Sequence, residues 1–294
     1  MKPIYTIMFA ISMTLAVVAI VFVSIWGLRL GVDFKGGSVL EVAFTGSRPS
    51  LDDLTKIAST VSGTQNISIT PVGDMGMILR MNTIDEKTHG ALFAAIKAKY
   101  DSAIEERFDS IGPTIGAELR NKSITAMVVL LMAITVYIAI VFWKMTRVLS
   151  PWVMGFAAIF ALIHDLIIPM GVFALLGHLW GIELSAVFVA AALTILGYSV
   201  SDTVVVFDRV RENVLRFGSK QSFPDLVHAS IMQTLARSIN TSVTTLLSLV
   251  AIFLFGGESL RYFALALIIG IVCGSYSSIF IASPILVWWS RKRR

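Results

Sequence analysis

Asp202 and Arg237 are the two residues whose surroundings in this sequence point most directly to chemistry. Asp202 lies near the end of an apolar segment long enough to cross a membrane, since about 20 helical residues span the hydrocarbon core. An ionised carboxylate there costs about 2.5–3.5 kcal/mol, so we expect it to be neutral, paired or next to water. The alternative is a helix that ends at Ser199, with Asp202 as an ordinary interfacial charge. The apolar run from Val204 to Phe207 disfavours this alternative, because water would then surround it.

A polar stripe accompanies each of these residues on its predicted helix. Because lipid cannot satisfy such groups, we expect the stripes to face a non-lipid surface, which predicts that the chain is half of a larger unit. Adjacent helices joined by a loop can bring Asp202 and Arg237 together, so the sequence also predicts an ion pair between them. The stripes are Thr194, Tyr198, Ser201 and Asp202 on one helix, and Arg237, Thr241, Thr244 and Ser248 on the next.

His164 and Asp165 form a second polar feature, halfway along another apolar segment. Two interpretations stay open: a buried pair that satisfies its own hydrogen bonds with neighbouring helices, or a direct functional role. An intramembrane aspartyl protease with Asp165 and Asp202 as its dyad is a further possibility. The glycine-x-glycine-aspartate pattern of that class is absent, and Asp165 is predicted to lie deeper than Asp202.

Metal and cofactor chemistry has little support in the sequence. Cys273 is the single cysteine and lies in an apolar segment, so no disulfide or thiolate metal site is available. The four histidines are scattered without the spacing of metal ligands. We therefore expect no metal and no cofactor.

The composition indicates an integral membrane protein. Only 15% of the residues are charged, against about 25% in soluble domains. The net charge of +5 does not predict a nucleic-acid partner, because the basic residues flank alternate ends of apolar segments, as the positive-inside rule requires. These residues are Lys2, Lys144, Arg147, Arg209, Arg211, Arg216, Lys220 and 291–294.

Six membrane spans are predicted, at approximately 5–28, 124–143, 152–176, 183–207, 236–256 and 262–289. The first is expected to be a retained signal anchor, since it exceeds a signal-peptide core and lacks a small-residue cleavage site. The charge distribution places both termini in the cytoplasm. The chain thus divides into span one (1–29), an extracytoplasmic, periplasmic domain (30–122), and a five-span bundle with a cytoplasmic tail (123–294).

The segment between the first two spans has the pattern of an α+β domain. Apolar and polar residues alternate at Leu40, Val42 and Phe44, and again at Met77, Leu79 and Met81, as in half-buried strands. Ser50 and Asp85 are predicted helix N-caps. The predicted order is strand 38–44, helix 51–61, strand 66–71, strand 76–82, helix 85–98 and strand 104–110, a βαββαβ order typical of ferredoxin-like modules.

Glycines in the last apolar segment predict close helix packing. Gly270 and Gly274, followed by Ser278, form a small-residue face with the spacing that lets helix backbones approach. We interpret this face as a packing surface and not as part of a transport route.

Three motifs resemble those of SecF subunits of the bacterial Sec translocase, in the RND superfamily. They are the Gly-Val-Asp-Phe-Lys-Gly-Gly run at 31–37, the Ser-Ile-Gly-Pro-Thr-Ile-Gly run at 110–116, and the long run at 197–213 that ends Asp-Arg-Val-Arg-Glu-Asn. Arg237 with Thr241 matches the polar start of that family's fifth span. The resemblance covers nearly the whole chain.

The resemblance implies a membrane subunit, not an enzyme, that pairs with SecD in the bacterial cytoplasmic membrane. It would use the proton-motive force to assist preprotein export after SecA has acted, at the SecYEG channel. The implied residues of proton passage are Asp202, Arg237, Thr241, Ser201, Tyr198 and Asp165. Two other classes stay open: an RND-type proton-coupled carrier of lipids or small hydrophobic molecules, and a scaffold in which Asp202 is replaceable.

Overall fold

The computed structural model describes residues 2–46, 48–64, 67–143, 150–218 and 220–291, without the side chains of Glu258, Ser259 and Arg291. The chain forms two compact units: Met1–Arg29 with Thr125–Arg294, called the bundle below, and Leu30–Ile124, called the α/β domain. Of the basic residues used above to assign topology, Lys144, Arg147 and 292–294 lie outside the described residues.

The elements follow one another in a simple order. They are α1 (Pro3–Trp26), α2 (Val32–Lys35), β1 (Gly37–Phe44), α3 (Leu51–Ser59), β2 (Ser68–Val72), β3 (Gly76–Met81), α4 (Glu86–Lys99), β4 (Ala103–Ile111), α5 (Pro113–Val141), α6 (Pro151–Trp180), α7 (Ala186–Phe217), α8 (Phe223–Phe255), α9 (Glu258–Ser277), a π-helix (Ser278–Ala282) and α10 (Ser283–Arg291).

The α/β domain is built on a four-stranded antiparallel sheet with strand order β2-β3-β1-β4. Leu40 on β1 pairs with Leu79 on β3 and with Phe108 on β4. Because side chains alternate across a strand, Leu40, Val42 and Phe44 share one face, and all three are buried as predicted. Leu54 of α3 and Leu92 of α4 complete this core.

Helices α3 and α4 of the α/β domain begin at the predicted caps. The hydroxyl of Ser50 accepts a hydrogen bond from the backbone N–H of Asp53 at 3.1 Å, and Asp85 accepts one from Thr88 at 2.9 Å. Each cap satisfies one of the backbone donors that a helix N-terminus leaves without a helical partner. Local sequence therefore determines where α3 and α4 start.

Six helices in the described part of the chain are long and apolar enough to cross a membrane, which confirms the predicted number. Several extend beyond the predicted spans. The helix of the fifth predicted span, α8, begins at Phe223 instead of 236. At its start the Ser222 hydroxyl accepts a hydrogen bond from the Asp225 N–H. Apolar composition marks the part of a helix that suits hydrocarbon, whereas helical hydrogen bonds continue into the polar flanks.

Glycines set the closest helix contacts in the bundle. A Cβ atom at Gly171 on α6 would lie 2.5 Å from the Cα of Ala19 on α1. On α9, a Cβ at Gly270 would lie 2.3 Å from a carbon of Ile195, and one at Gly274 would lie 2.9 Å from the Ser199 Cβ. The predicted packing face of the last span is thus present, and it brings α9 against α7.

The last span contains a π-helix that the sequence analysis did not anticipate. It covers Ser278–Ala282, between α9 and α10. The backbone N–H of Ser283 donates to the carbonyl of Ser278, five residues earlier, and the Ser283 hydroxyl donates to the same carbonyl at 2.7 Å. Such single-turn π segments occur frequently at functional sites.

Candidate functional site

Asp202 lies on α7 and is held by hydroxyl groups from two other elements of the bundle. One carboxylate oxygen accepts a hydrogen bond from Ser238 on α8, and the other accepts one from Ser278, at the start of the π-helix, at 2.5 Å. Both serines are buried, whereas Asp202 itself is half-buried. The acid thus lies at the edge of the bundle, with neutral partners on its inner side.

Tyr198 extends this contact by one helical turn. Its hydroxyl donates to Ser242 on α8 at 3.1 Å. Tyr198 lies four residues before Asp202 on α7, and Ser242 lies four residues after Ser238 on α8. This opposite order is expected for antiparallel neighbours. The structure therefore brings Tyr198 and Asp202 together on one interface with α8.

The serines of α8 belong to a second polar repeat that the sequence analysis missed. Its spacing of four residues was a usable signal, because such residues share one face of a helix. The four members are buried, unlike the stripe that begins at Arg237. They are Ser230, Thr234, Ser238 and Ser242.

Arg237 does not pair with Asp202, so the predicted ion pair is wrong for this structure. Arg237 is exposed, and among the described residues its side chain forms no ion pair or hydrogen bond. The reason is helical geometry, since consecutive residues point about 100° apart at 3.6 residues per turn. With Ser238 turned towards Asp202, its neighbour Arg237 points away from the bundle.

The rest of the predicted stripe on α8 is also exposed. Thr241, Thr244 and Ser248 donate their hydroxyl hydrogens to carbonyls of their own helix, at 2.9, 2.9 and 3.4 Å. These hydroxyls do not require a partner, contrary to the argument that lipid leaves them unsatisfied. On α7, Ser201 is likewise exposed. Of the residues on this face, Arg237 most needs a non-lipid neighbour, because its side chain is charged.

Asp165 lies in a different environment, fully enclosed within the bundle. One of its oxygens accepts hydrogen bonds from Ser199 on α7 and Ser277 on α9, both at 2.6 Å. The other lies 2.9 Å from Nδ1 of His164, whose Nε2 lies 3.4 Å from the Tyr276 hydroxyl. In this arrangement His164 and Asp165 form a buried pair whose hydrogen bonds are satisfied with neighbouring helices, as the first of the two interpretations predicts.

The two acids are held apart by separate sets of serines. Asp165 is bound by Ser199 and Ser277, and Asp202 by Ser238 and Ser278, with no hydrogen bond between the carboxylates. An aspartyl dyad needs two carboxyl groups close enough to share a proton. The arrangement therefore does not favour a protease.

No group of three histidine, cysteine or acidic side chains is placed to hold a metal ion in the described part of the chain.

The two glycine-rich motifs near the first two spans pack against each other within the α/β domain. Gly36 and Gly37 have positive φ angles of 80° and 131°, a conformation that glycine adopts without strain. A Cβ at Gly36 would lie 2.7 Å from the backbone of Pro113, and one at Gly116 would lie 2.9 Å from the nitrogen of Gly36. Glycine is thus required at 36 and 116, because the two backbones lie too close together there to admit a side chain.

Comparison with known proteins gives two family matches. The model for the C-terminal part of protein export membrane proteins SecD/SecF matches residues 92–292, and that for the SecD/SecF GG motif matches residues 27–47. The second match contains Gly36, which approaches Pro113. The first contains Asp165, Asp202 and their serine partners.

Individual relatives agree with these matches. Protein translocase subunit SecF of Thermobaculum terrenum is 38% identical, covering 97% of this chain and 92% of that protein. The SecF subunit of Synechocystis sp. is 40% identical, covering 90% of this chain and 84% of that protein. Crystalline SecDF of Thermus thermophilus, a translocon-associated membrane protein, superposes with a TM-score of 0.84 at 32% identity. That match covers 99% of this chain but 38% of the SecDF chain.

The family matches cover most of the sequence, and the six apolar helices make it a multi-pass membrane protein. The SecF-named relatives align over nearly the full length of both chains. This chain belongs to the SecF family of protein translocase subunits.

Proposed function

We propose that this chain acts with a SecD-like subunit to use the proton-motive force for preprotein export, and that protons pass through Asp202. The observation that carries the proposal is the binding of Asp202 by two serine hydroxyls inside an apolar helix bundle. A hydroxyl donates to a carboxylate and accepts from a carboxylic acid. Ser238 and Ser278 can therefore serve both protonation states, whereas a permanent arginine partner would favour the charged state alone.

Arg237 takes a different role in this proposal from the one the sequence suggested. It lies on the outward face of α8, one residue from the serine that binds Asp202. We place this face against the SecD-like subunit, because an arginine exposed to hydrocarbon is costly and stays charged. The Thermus SecDF chain is longer than this one, so it contains additional residues that could cover such a face. Arg237 then lies between the partner's surface and the proton route.

The remaining assignments rest on charge distribution and family. Both termini lie in the cytoplasm and the α/β domain on the outer side of a bacterial inner membrane. The βαββαβ order and the sheet order β2-β3-β1-β4 support a ferredoxin-like α/β domain. The chain works as a transport subunit and not as an enzyme, alongside SecYEG, SecA and the translocating preprotein, with membrane lipid around it.

The test is Asp202→Asn in the assembled complex, with export into energised membrane vesicles as the measurement. Asparagine keeps the shape and one acceptor oxygen but cannot bind and release a proton, so proton-driven export should be lost while the subunits still co-purify. Asp208→Asn is the matched control, since Asp208 is an exposed acid on the same helix that pairs with Arg211 at 2.6 Å. Undiminished dependence of export on the proton-motive force in Asp202→Asn would remove Asp202 from the mechanism.

A further inference from the structure

The Asp202 and Asp165 networks meet at two consecutive residues. Ser277, the last residue of α9, binds Asp165, and Ser278, the first of the π-helix, binds Asp202. We infer that Asp165 anchors Ser277 and so holds Ser278 in position to bind Asp202, with the π-helix as the segment that moves when that bond is released. Ser277 and Asp165 are positioning residues in this inference, which rests on the proposed function of Asp202.

Asp165 has the properties of a fixed anchor. It is 0% exposed, and both of its oxygens have partners within the bundle. Two hydrogen bonds of 2.6 Å reach one oxygen of this acid, and both donors are fully buried, so neither can turn to water instead. Ser277 is therefore held against α6 and α7 whatever happens at the half-buried Asp202.

Helical geometry lets two adjacent serines reach two different acids. Consecutive side chains point about 100° apart, so Ser277 and Ser278 meet different neighbours. On α7, Ser199 binds Asp165 and lies three residues, nearly one turn, before Asp202. The closed circuit therefore runs from Asp165 through Ser199 and α7 to Asp202, and back through Ser278 and Ser277.

The π-helix gives this circuit a segment able to change. Its bond from the Ser283 N–H to the Ser278 carbonyl spans five residues, one more than in an α-helix. Ser283 also donates its hydroxyl to that carbonyl at 2.7 Å. Ser278 thus binds Asp202 through its side chain and closes the π turn through its carbonyl. Loss of the side-chain bond to Asp202 therefore acts directly on this turn.

Protonation of Asp202 supplies the change. The charged carboxylate attracts the Ser278 hydroxyl strongly, and neutralising it weakens that bond, because charge-assisted bonds are roughly twice as strong as neutral ones. Ser278 is then free to turn, while Ser277 stays bound to Asp165. The motion is confined to the π-helix and α10, and so to the end of the last span.

The experiment compares Ser277→Ala with Ser199→Ala in the assembled complex with the SecD-like subunit. Both variants remove one hydroxyl, and with it one 2.6 Å bond to the same oxygen of Asp165, so they are matched in cost to the anchor. Of these two serines, only Ser277 is adjacent to Ser278 in the chain. The readout is the infrared carboxylate stretching band of ionised Asp202, assigned by its absence in Asp202→Asn, together with proton-driven export.

Ser277→Ala should move the Asp202 band towards the wavenumber of a carboxylate with fewer hydrogen bonds, and lower export several-fold. Ser199→Ala should leave the band in place. An unmoved band in Ser277→Ala, or equal shifts in both variants, would overturn the inference. The band reports hydrogen bonding without export, so this result is separate from the proposed function, which fails only if Asp202→Asn retains proton-driven export.

Discussion

Asp53 and Asp85 of the α/β domain and Asp202 of the bundle are satisfied by different kinds of partner. Asp53 of the α/β domain pairs with Lys99 at 3.0 Å, and Asp85 caps α4 through the Thr88 N–H. The hydrogen bond from Lys99 lowers the pKa of Asp53, and hydrogen bonds from Thr88 lower that of Asp85. In the bundle, Asp202 has hydroxyl partners instead. A lysine ammonium and a backbone N–H can only donate, whereas a hydroxyl donates to a carboxylate and can also accept from a carboxylic acid.

Within the bundle, enclosure distinguishes the two acids further. Asp165 is 0% exposed and has three partners, while Asp202 is half-buried and has two. An acid that exchanges protons needs a route to water, and an acid that anchors neighbouring helices needs none. The comparison supports the proposal that Asp165 anchors neighbouring helices and that Asp202 exchanges protons.

The largest expected effect is on stability, from Asp165→Ala. The change leaves the hydroxyls of Ser199 and Ser277 and the His164 ring without their acceptor in a closed site. Each buried donor left without its partner costs about 1–3 kcal/mol, so the thermal midpoint in detergent should fall by many degrees. Asp165→Asn should cost less, because its carbonyl oxygen can still accept from both serines.

Asp202→Ala is the control for this prediction, measured in the same detergent. Its carboxylate is partly exposed, so the serines it leaves can turn to backbone carbonyls or water, and the midpoint should change little. Equal losses of stability in Asp165→Ala and Asp202→Ala would break the distinction between an anchoring and an exchanging acid.

A smaller effect, confined to assembly, is expected from Arg237→Leu. If the outward face of α8 contacts a polar partner surface, removing the guanidinium should lower co-purification of the SecD-like subunit several-fold. The isolated chain should keep its thermal midpoint, because Arg237 has no side-chain partner among the described residues. Arg216→Leu, which breaks an exposed 2.8 Å pair with Glu212 on α7, is the matched control. Unchanged co-purification in Arg237→Leu would mean that this face is not the subunit interface.

Much of the α/β domain follows from local sequence. Strand alternation identified the buried face of β1, and the caps Ser50 and Asp85 gave the helix starts within a residue. These features are local, since they depend on period-two patterning and on hydrogen bonds across three residues. The four-residue α2 was missed, because so short a helix has no periodicity to detect.

The orientation of α8 could not be predicted in the same way. Two polar repeats with similar spacing run side by side on it, one through Ser238 and one through Arg237. The charge made the second repeat more conspicuous, but a helix contact favours the small hydroxyl residues, which let α7 and α8 approach closely. The π-helix was not predicted either, because a single turn of five residues is too short to show a periodicity of its own in the sequence.

The smallest expected effect concerns the acids of the α/β domain and tests the other side of the comparison. The folded pKa of Asp53 lies below the ordinary value of about 3.9, so its interaction with Lys99 adds stability above that pH and loses it as the pH falls through the lowered value. Hydrogen-exchange protection of the α3 amides in the full chain should therefore decline slightly from pH about 4 downwards. Asp53→Asn should remove this decline, and Asp52→Asn, whose side chain has no partner among the described residues, should retain it. A decline that persists unchanged in Asp53→Asn would show that this ion pair does not carry the acid sensitivity of α3, and that charged partners in the α/β domain matter less than their lowered pKa suggests.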